Sequence, residues 1–171
     1  KKRRRAALKI PFVKQDMRKL ALHRPQDAII CACDGVNYLA SLKAAEEFFE
    51  AANAALKVGG LLLFDISSQY KLENILGCNT FAEDEQGGAY IWKNNYDPES
   101  RLIEMNLTFF ERQGELYRRF TERHIQRAHG TDELLKALYR AGFDAEAYDF
   151  ETMDPVKPDS ERVQFSGRKR R

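Results

Sequence analysis

The stretch Asp27-Ala28-Ile29-Ile30-Cys31-Ala32-Cys33-Asp34-Gly35-Val36-Asn37-Tyr38-Leu39 decides how the rest of the chain is interpreted. Its first half is almost continuously apolar, which is typical of a parallel strand buried on both faces. Its second half brings an acid, a glycine, an amide and a phenol. Ligands of open α/β sheets bind beyond the carboxyl ends of the strands. The stretch therefore predicts a buried strand that ends at a ligand site.

The residues on either side extend this strand to an α/β unit. Before it, Ile10-Pro11-Phe12-Val13 predicts a short strand that ends in the loop around Asp16. After it, Ser41 is a suitable N-cap for a helix, and Gly59-Gly60 is expected to end that helix. The apolar run 61–66 predicts another buried strand. A strand–helix–strand crossover of this kind is right-handed in almost all proteins.

The second half of the chain has a different pattern. Residues 89–126 contain three strand-like segments separated by turn residues, and alternation is clearest from Ile103 to Phe109. This pattern predicts an antiparallel meander inserted into a parallel fold. Thr131 is expected to cap a second helix that stops at Gly142. Residues 145–150 and 162–167 then predict a closing antiparallel pair of strands.

Composition restricts the classes of protein that fit. The 171 residues are 43% hydrophobic and 32% charged, which is typical of one globular domain with a core. No apolar run is long enough to cross a membrane. Three cysteines fit reduced thiols, so a cytoplasmic protein is expected. The net charge is only +2, but basic residues concentrate at 1–5 and 168–171, which leaves RNA binding open as an alternative to a solvated surface.

The order of these elements resembles the C-terminal three quarters of a class I S-adenosylmethionine-dependent methyltransferase, from about residue 10 to residue 169. The segments that carry the resemblance are 12–18, 27–31, 34–39, 56–60 and 141–143. More narrowly, Trp92-Lys93-Asn94, Tyr96-Asp97, Glu122-Arg123-His124 and Ser160-Glu161-Arg162 resemble the YqeM-like methyltransferases. The resemblance implies an α/β fold: a partial Rossmann-like methyltransferase sheet, lacking the first two strands, with an inserted antiparallel β-meander.

One departure from the family qualifies this prediction. Such enzymes begin with a strand and a G-x-G-x-G loop that approaches the cofactor, and no such glycine cluster occurs here. The family's strand order is 3-2-1-4-5-7-6, so strands 1 and 2 are expected to be missing. We expect either that further residues precede Lys1 or that the fragment repacks with a partner. Since an incomplete sheet leaves edges that invite pairing, a homodimer is one alternative for the oligomeric state.

The resemblance implies a division of the chain and a function. Residues 1–87 would be a partial cofactor-binding core, residues 88–128 an inserted substrate lid, and residues 129–171 the part that completes the core. The implied activity is methyl transfer from S-adenosylmethionine to a small molecule or an RNA-linked acceptor. A non-catalytic α/β binding or dimerisation module, which lost the cofactor loop, is the alternative from another class.

The resemblance also assigns candidate residues. Asp16 would accept the adenine amino group and Met17 would donate a backbone N–H to the ring, while Ala32 and Cys33 would face the cofactor through their carbonyls. Asp34 and Tyr38 are the catalytic candidates at the mouth of the site, close to the transferred methyl group. The candidates for contact with the acceptor are Asn37, Trp92, Tyr96, Glu122, His124 and Arg127.

Two smaller points concern particular side chains. Glu122 and His124 lie two residues apart on a predicted strand, so both project from one face as an acid–base pair, unless Glu122 instead pairs with Arg123 or Arg119. The C-x-C spacing of Cys31 and Cys33 lacks the usual C-x-x-C pattern and no histidine motif accompanies it. No metal site is therefore expected.

Overall fold

The structure is a computed structural model that describes residues 10–171. These residues form two α-helices and eight β-strands. The helices are α1 (Leu42–Ala55) and α2 (Thr131–Arg140). The strands are β1 (Gln26–Cys31), β2 (Leu56–Ser67), β3 (Thr80–Glu85), β4 (Gly88–Asp97), β5 (Leu102–Gln113), β6 (Leu116–Arg127), β7 (Phe143–Asp149) and β8 (Arg162–Lys169). Short helical turns cover Met17–Lys19, Gly35–Tyr38 and Lys71–Leu76.

The first sheet has the strand order β1-β2-β8-β7. β1 and β2 are parallel, whereas β8 runs antiparallel to both of its neighbours. This order is the 4-5-7-6 half of the sheet that the sequence resemblance implies. The predicted strand–helix–strand unit and the predicted closing pair of strands are both confirmed. The prediction that β1 is buried on both faces is wrong: none of its residues is fully buried, because β1 lies at the edge of the sheet in the described chain.

An aromatic core packs under α1 and α2. Five phenylalanines of this core are 0–2% exposed: Phe48, Phe49, Phe64, Phe143 and Phe165. The rings of Phe64 and Phe165, on the neighbouring strands β2 and β8, stack with their centroids 4.6 Å apart. Ser41 caps α1 as predicted, because its Oγ accepts a hydrogen bond from the Ala44 N–H at 3.1 Å. The core thus fixes the carboxyl ends of β1 and β2 side by side.

The second sheet is an antiparallel meander with the order β3-β4-β5-β6. It contains one strand more than the sequence predicts, because β3 is rich in acidic residues and lacks a clear alternating pattern. The sheet therefore begins at Thr80, before the predicted lid boundary at residue 88. Buried Ile103 and Met105 of β5 pack against Leu72 and Leu76 of the turn that follows β2. This contact joins the two sheets.

Two sequence predictions about strand and helix ends are wrong. Residues 10–13 form no strand, and Phe12 is 92% exposed. No strand among residues 10–171 lies beside this segment to share its hydrogen bonds. Helix α1 ends at Ala55 rather than at Gly59-Gly60, since Leu56 already pairs with Gln26 of β1. Gly59 instead lies within β2 at φ +76°, where the register between β1 and β2 shifts.

The outer edge of β1 pairs with no other strand of the described chain, and Ile30 is 71% exposed there. Pairing of two copies through such an edge stays a prediction. Within residues 10–171, none of the helices combines the length and the apolar character that crossing a membrane requires.

The C-terminal basic residues are used within the fold. Lys169 Nζ donates to the carbonyls of Asn53 and Leu56 at 2.6 and 2.9 Å. Arg168 donates to the Gly59 carbonyl at 2.9 Å, and the Arg170 guanidinium lies 4.2 Å from the ring centroid of Tyr139. These contacts do not favour the RNA-binding alternative at this end. The other basic run, residues 1–5, lies outside the described residues.

Candidate active site

The carboxyl end of β1 continues into an unusual turn. Cys33 and Asp34 adopt left-handed backbone conformations, with φ values of 60° and 50°. Such conformations are uncommon for residues other than glycine and are retained where the surrounding structure enforces them. Here the carboxylate of Asp65, at the end of β2, accepts hydrogen bonds from the backbone N–H groups of Cys33 and Asp34, both at 2.9 Å. Asp65 therefore shapes the turn.

Asp65 is itself buried and ion-paired. It is 4% exposed, and the guanidinium of Arg162 donates to its Oδ2 from Nε at 2.8 Å and from Nη2 at 2.5 Å. Four donors thus converge on one carboxylate, which satisfies its hydrogen-bonding capacity. The Cys33–Asp34 turn, β2 and β8 are held together at this point.

The side chain of Asp34 faces the second sheet. Its Oδ2 accepts a hydrogen bond from Gln126 Nε2 of β6 at 2.7 Å, and Arg162 Nη2 lies 4.0 Å from its Oδ1. The first catalytic candidate is therefore fixed between the two sheets.

Tyr38, His124 and Glu122 form a chain of hydrogen bonds. The Tyr38 hydroxyl lies 3.0 Å from His124 Nδ1, and His124 Nε2 lies 3.2 Å from Glu122 Oε2. Since an ionised carboxylate only accepts, Nε2 carries the hydrogen toward Glu122, and in a neutral imidazole Nδ1 accepts from the phenol. Burial, followed by the charge of Asp34, raises the pKa of Tyr38, so the phenol is protonated at neutral pH. The predicted pairing of Glu122 with His124 is observed, whereas Arg123 pairs with Glu104 at 2.6 Å.

Two cavities meet at Tyr38. One, of about 270 Å³, is lined by Asp34, Tyr38, Trp92 and His124 among others. The second, of about 510 Å³, is lined by Asp16, Met17 and Tyr38. The structure therefore brings candidates for cofactor binding, catalysis and acceptor binding to one edge of the first sheet. Ala32 and Cys33 are exposed directly after β1 ends at this edge.

Four of the predicted acceptor contacts do not line the cavity at Tyr38 and His124: Asn37, Tyr96, Glu122 and Arg127. Glu122 reaches this cavity only through its hydrogen bond to His124, and the other three are held by contacts within the fold. Asn37 is fully buried, and its amide bonds the backbone of Ser67 and the carbonyl of Arg127. The Arg127 guanidinium is bonded to His129 and Glu133, both at 2.6 Å. Tyr96 packs partly buried against the Ile103 cluster. These positions fit a supporting role for all three side chains better than direct contact with an acceptor.

His129 joins the segment after the Gly35–Tyr38 turn to strand β6 of the second sheet. It is 0% exposed, its Nε2 lies 2.9 Å from the Leu39 carbonyl, and its Nδ1 lies 2.6 Å from Arg127 Nη1. Because a carbonyl only accepts and a guanidinium only donates, the imidazole is neutral with its hydrogen on Nε2. Burial, and secondly the charge of Arg127, lower the pKa of His129 to about 4.

The buried imidazole predicts a pH dependence of stability. Below pH 6.5 the unfolded state takes up a proton that folded His129 accepts only near pH 4. The free energy of unfolding should therefore fall by about 3 kcal/mol between these two values, in addition to the effect of other groups. Urea unfolding at both pH values measures the loss. His129→Gln should show a smaller loss, and equal losses in the two proteins would contradict this assignment.

The Cys31 thiol of the opening stretch does not have the properties of an activated nucleophile. Burial, and then the charges of Asp65 and Asp34, raise the pKa of the Cys31 thiol to about 11, which leaves it protonated at neutral pH. The described part of the chain brings no three metal-ligating side chains together.

Four supporting residues were missed by the sequence interpretation: Asp65, Gln126, His129 and Arg162. One signal was available, because Asp65 interrupts a strand that is otherwise apolar. An acid within a buried strand is rare unless it is paired. The other three offered no comparable signal, since their partners lie far away in the sequence.

Known proteins share this arrangement of sheets. The chain is 33% identical over 163 residues to "Putative methyltransferase YqeM" of Bacillus subtilis (strain 168), and 32% identical over 162 residues to "Putative methyltransferase GWCH70_2453" of Geobacillus sp. (strain WCH70). Each alignment covers 94% of this chain and 66% of the relative, so the chain spans just under two thirds of their length. No family model matches the chain.

Solved structures agree with these relatives. A S-adenosylmethionine-dependent methyltransferase from Clostridium acetobutylicum ATCC 824 superposes with a TM-score of 0.87 at 32% identity, over 93% of this chain and 64% of that one. The CcbJ methyltransferase from Streptomyces caelestis has a TM-score of 0.76 at 16% identity, over 93% of this chain and 63% of that one, and shares the fold. The fold is that of the S-adenosylmethionine-dependent methyltransferases.

The chain belongs to this family, and one of its curated relatives is named YqeM. The predicted family and fold class are confirmed. The predicted cofactor, S-adenosylmethionine, is the one on which the similar methyltransferase from Clostridium acetobutylicum depends.

Proposed function

We propose that this chain provides an active site for methyl transfer from S-adenosylmethionine to an amine or hydroxyl group of a small molecule. The observation that carries the proposal is the Tyr38–His124–Glu122 chain, which opens into the cavity beside Asp34 and adjoins the cavity of Asp16 and Met17. Family membership supports the methyl donor, and the free thiols of Cys31, Cys33 and Cys78 support a reducing, cytoplasmic setting.

The cofactor side of the site consists of residues that can hold a nucleoside. Asp16 presents an exposed carboxylate, and a bidentate hydrogen bond from Arg18 holds its pKa at about 2, so it is ionised. The Asp16 carboxylate would accept a hydrogen bond from the adenine amino group, and the backbone N–H of Met17 would donate one to the adenine ring. When bound, S-adenosylmethionine supplies an electrophilic methyl group on its sulfonium sulfur.

The acceptor side can move a proton. An acceptor N–H or O–H placed against the Tyr38 oxygen would pass its proton to the phenol, whose own proton moves to His124 Nδ1. Glu122 would stabilise the resulting imidazolium through Nε2. The nucleophile's electron pair forms the new bond to the methyl carbon, and the carbon–sulfur bond pair stays with sulfur. Asp34 would orient the acceptor, and the cavity walls would exclude water.

A transfer assay tests the proposal. The chain is incubated with S-adenosylmethionine tritiated in its methyl group and a panel of arylalkyl amines and alcohols, and the labelled products are counted. Label in at least one acceptor is the expected result. Binding of S-adenosylhomocysteine without any transfer across the panel would instead support the non-catalytic binding module.

Replacing Asp16 predicts a loss of cofactor affinity. Asp16→Ala should raise the dissociation constant of S-adenosylhomocysteine at least ten-fold, because a hydrogen bond to a charged group contributes about 1.5–3 kcal/mol. Calorimetric titration measures this constant. Asp27→Ala is the matched control, since Asp27 is also exposed and ion-paired, to Lys57 at 2.6 Å. Equal affinities of the two variants for S-adenosylhomocysteine would show that Asp16 does not bind the cofactor.

A further inference from the structure

We propose that the acceptor is a flat aromatic molecule that carries a second, positively charged group and lies along the inner face of the second sheet. The inner face is defined here as the side of β3–β6 from which Trp92 and His124 project. This inference rests on the proposed function and adds the class of acceptor to it.

The inner face contains a continuous series of cavities. The cavity at Tyr38 and His124 shares Lys71, Leu76 and Trp92 with a neighbouring cavity of about 330 Å³. That cavity in turn shares Glu83 and Tyr90 with a third of about 310 Å³. A groove therefore leads from the catalytic candidates toward the far end of the meander.

The strand register explains why the groove is aromatic. Directly paired residues of an antiparallel sheet project from the same face. One row across the inner face consists of Phe81, Trp92, Leu107 and Glu122, and the next row outward consists of Glu83, Tyr90, Phe109 and Phe120. In the outer row, the rings of Phe109 and Phe120 stack at 5.0 Å, and Tyr90 lies 6.4 Å from Phe109. Flat apolar molecules bind well to such a series of rings.

The length of the groove favours an elongated ligand. His124 and Phe120 lie on the same strand and the same face, four residues apart. At a rise of about 3.3 Å per residue, the two positions are separated by roughly 13 Å. A molecule whose reacting group lies at Tyr38 would therefore reach the outer rings only if it extends over more than one ring.

The far end of the groove is acidic. Glu83 and Glu85 project from the inner face beside Tyr90 and Gly88. Neither forms an ion pair with any residue between 10 and 171, whereas Glu111 of the outermost row pairs with Arg118 at 2.9 Å. The far end of the groove therefore carries three negative charges, from Glu83, Glu85 and Glu111, and one positive charge, from Arg118. The resulting net negative charge complements a cationic group on the ligand.

Trp92 lies where the first two cavities meet. Its indole N–H is buried and has no hydrogen-bond partner among the described residues. A buried donor without a partner is rare in proteins. An acceptor atom on a ligand lying across Trp92 would supply the missing partner.

The chain's only tryptophan makes the test specific to this groove. Quenching of Trp92 fluorescence is titrated with two probes, 4-(aminomethyl)biphenyl and 4,4′-bis(aminomethyl)biphenyl, which differ only in the second aminomethyl group. The diamine is expected to bind about ten-fold more tightly than the monoamine. The double variant Glu83→Gln, Glu85→Gln should abolish this preference without weakening the monoamine.

Further variants test the aromatic row. Phe109→Ala should weaken both biphenyl probes about ten-fold but leave benzylamine, which reaches only the inner cavity, unchanged. Phe109→Leu serves as a second variant if circular dichroism shows that the alanine variant is not folded. Ile91→Ala is the matched control, because Ile91 lies between Tyr90 and Trp92 but projects from the opposite face.

The outcomes separate this inference from the proposed function. Equal affinities for the two biphenyls, or a preference that survives the double glutamine variant, would overturn the groove assignment even if methyl transfer occurs. Probe binding with the expected pattern but no transfer of label would overturn the proposed activity and leave the groove standing.

Discussion

Replacing Asp65 with alanine is expected to lower the free energy of unfolding by about 3 kcal/mol. The variant removes the carboxylate that accepts both hydrogen bonds of the Arg162 guanidinium and leaves the N–H groups of Cys33 and Asp34 unsatisfied. Removing the buried member of a charge pair is among the more destabilising single changes when backbone donors also lose their acceptor, as the N–H groups of Cys33 and Asp34 do here. Urea unfolding at neutral pH, followed by circular dichroism, gives the value.

The same variant should also change the site. Without the Asp65 carboxylate, the left-handed conformations of Cys33 and Asp34 lose their support, so their backbone amide resonances should shift strongly. Asp144→Ala is the matched control, since Asp144 is also a strand aspartate near an arginine, but its side chain is 72% exposed and 3.9 Å from Arg170. The control should lose no more than about 0.5 kcal/mol. A loss from Asp65→Ala as small as this would refute the role given to Asp65.

Replacing His124 with alanine is expected to reduce the rate of methyl transfer by about 10²–10³-fold. The variant removes the group that receives the proton from Tyr38 and interrupts the path to Glu122. Single-turnover transfer of tritiated methyl to the best acceptor of the panel measures the rate. Tyr38→Phe should cause a loss of similar size, and the double variant should be little slower than either single one, because both residues act in one chain.

Arg123→Ala provides the control for this experiment. Arg123 is next to His124 on β6 but projects from the opposite face and pairs with Glu104. Its removal should change the rate less than two-fold, since an exposed ion pair contributes about 1 kcal/mol or less to stability and does not face the cavity. Equal rate losses from Arg123→Ala and His124→Ala would show that the loss comes from disturbing β6 and not from removing the imidazole.

Much of the fold could be predicted because its signals are local. The apolar runs of β1 and β2, the spacing of Phe48 and Phe49, and the cap at Ser41 depend only on neighbouring residues. The segment from Ile10 to Val13 shows the limit of this reasoning. Its composition favours a strand, but a strand requires a paired neighbour, and none is available to it among residues 10–171.

The candidate site was predictable to the same extent. The period of two residues in a strand predicts that Glu122 and His124 share one face, as the structure shows, and the end of β1 predicts that Asp34 and Tyr38 lie together at the sheet edge, where both line one cavity. Their catalytic roles stay predictions. The contacts that join these pairs were not predictable, because Tyr38 and His124 are 86 residues apart, and Asp34 and Gln126 are 92 residues apart. Only the docking of the second sheet onto the first decides which side chains meet. That docking also explains why the amide of Asn37 and the guanidinium of Arg127 are enclosed, although their positions in the sequence favoured contact with the acceptor.

Titration of the isotopically labelled chain with S-adenosylhomocysteine, followed by nuclear magnetic resonance of backbone amides, shows directly whether this edge of the sheet binds the cofactor. We expect the largest shifts at residues 16–18 and 33–38, which surround the two cavities that meet at Tyr38. The absence of shifts at saturating ligand, or shifts confined to residues away from these two segments, would contradict the central claim that this edge of the sheet is a methyl-transfer site.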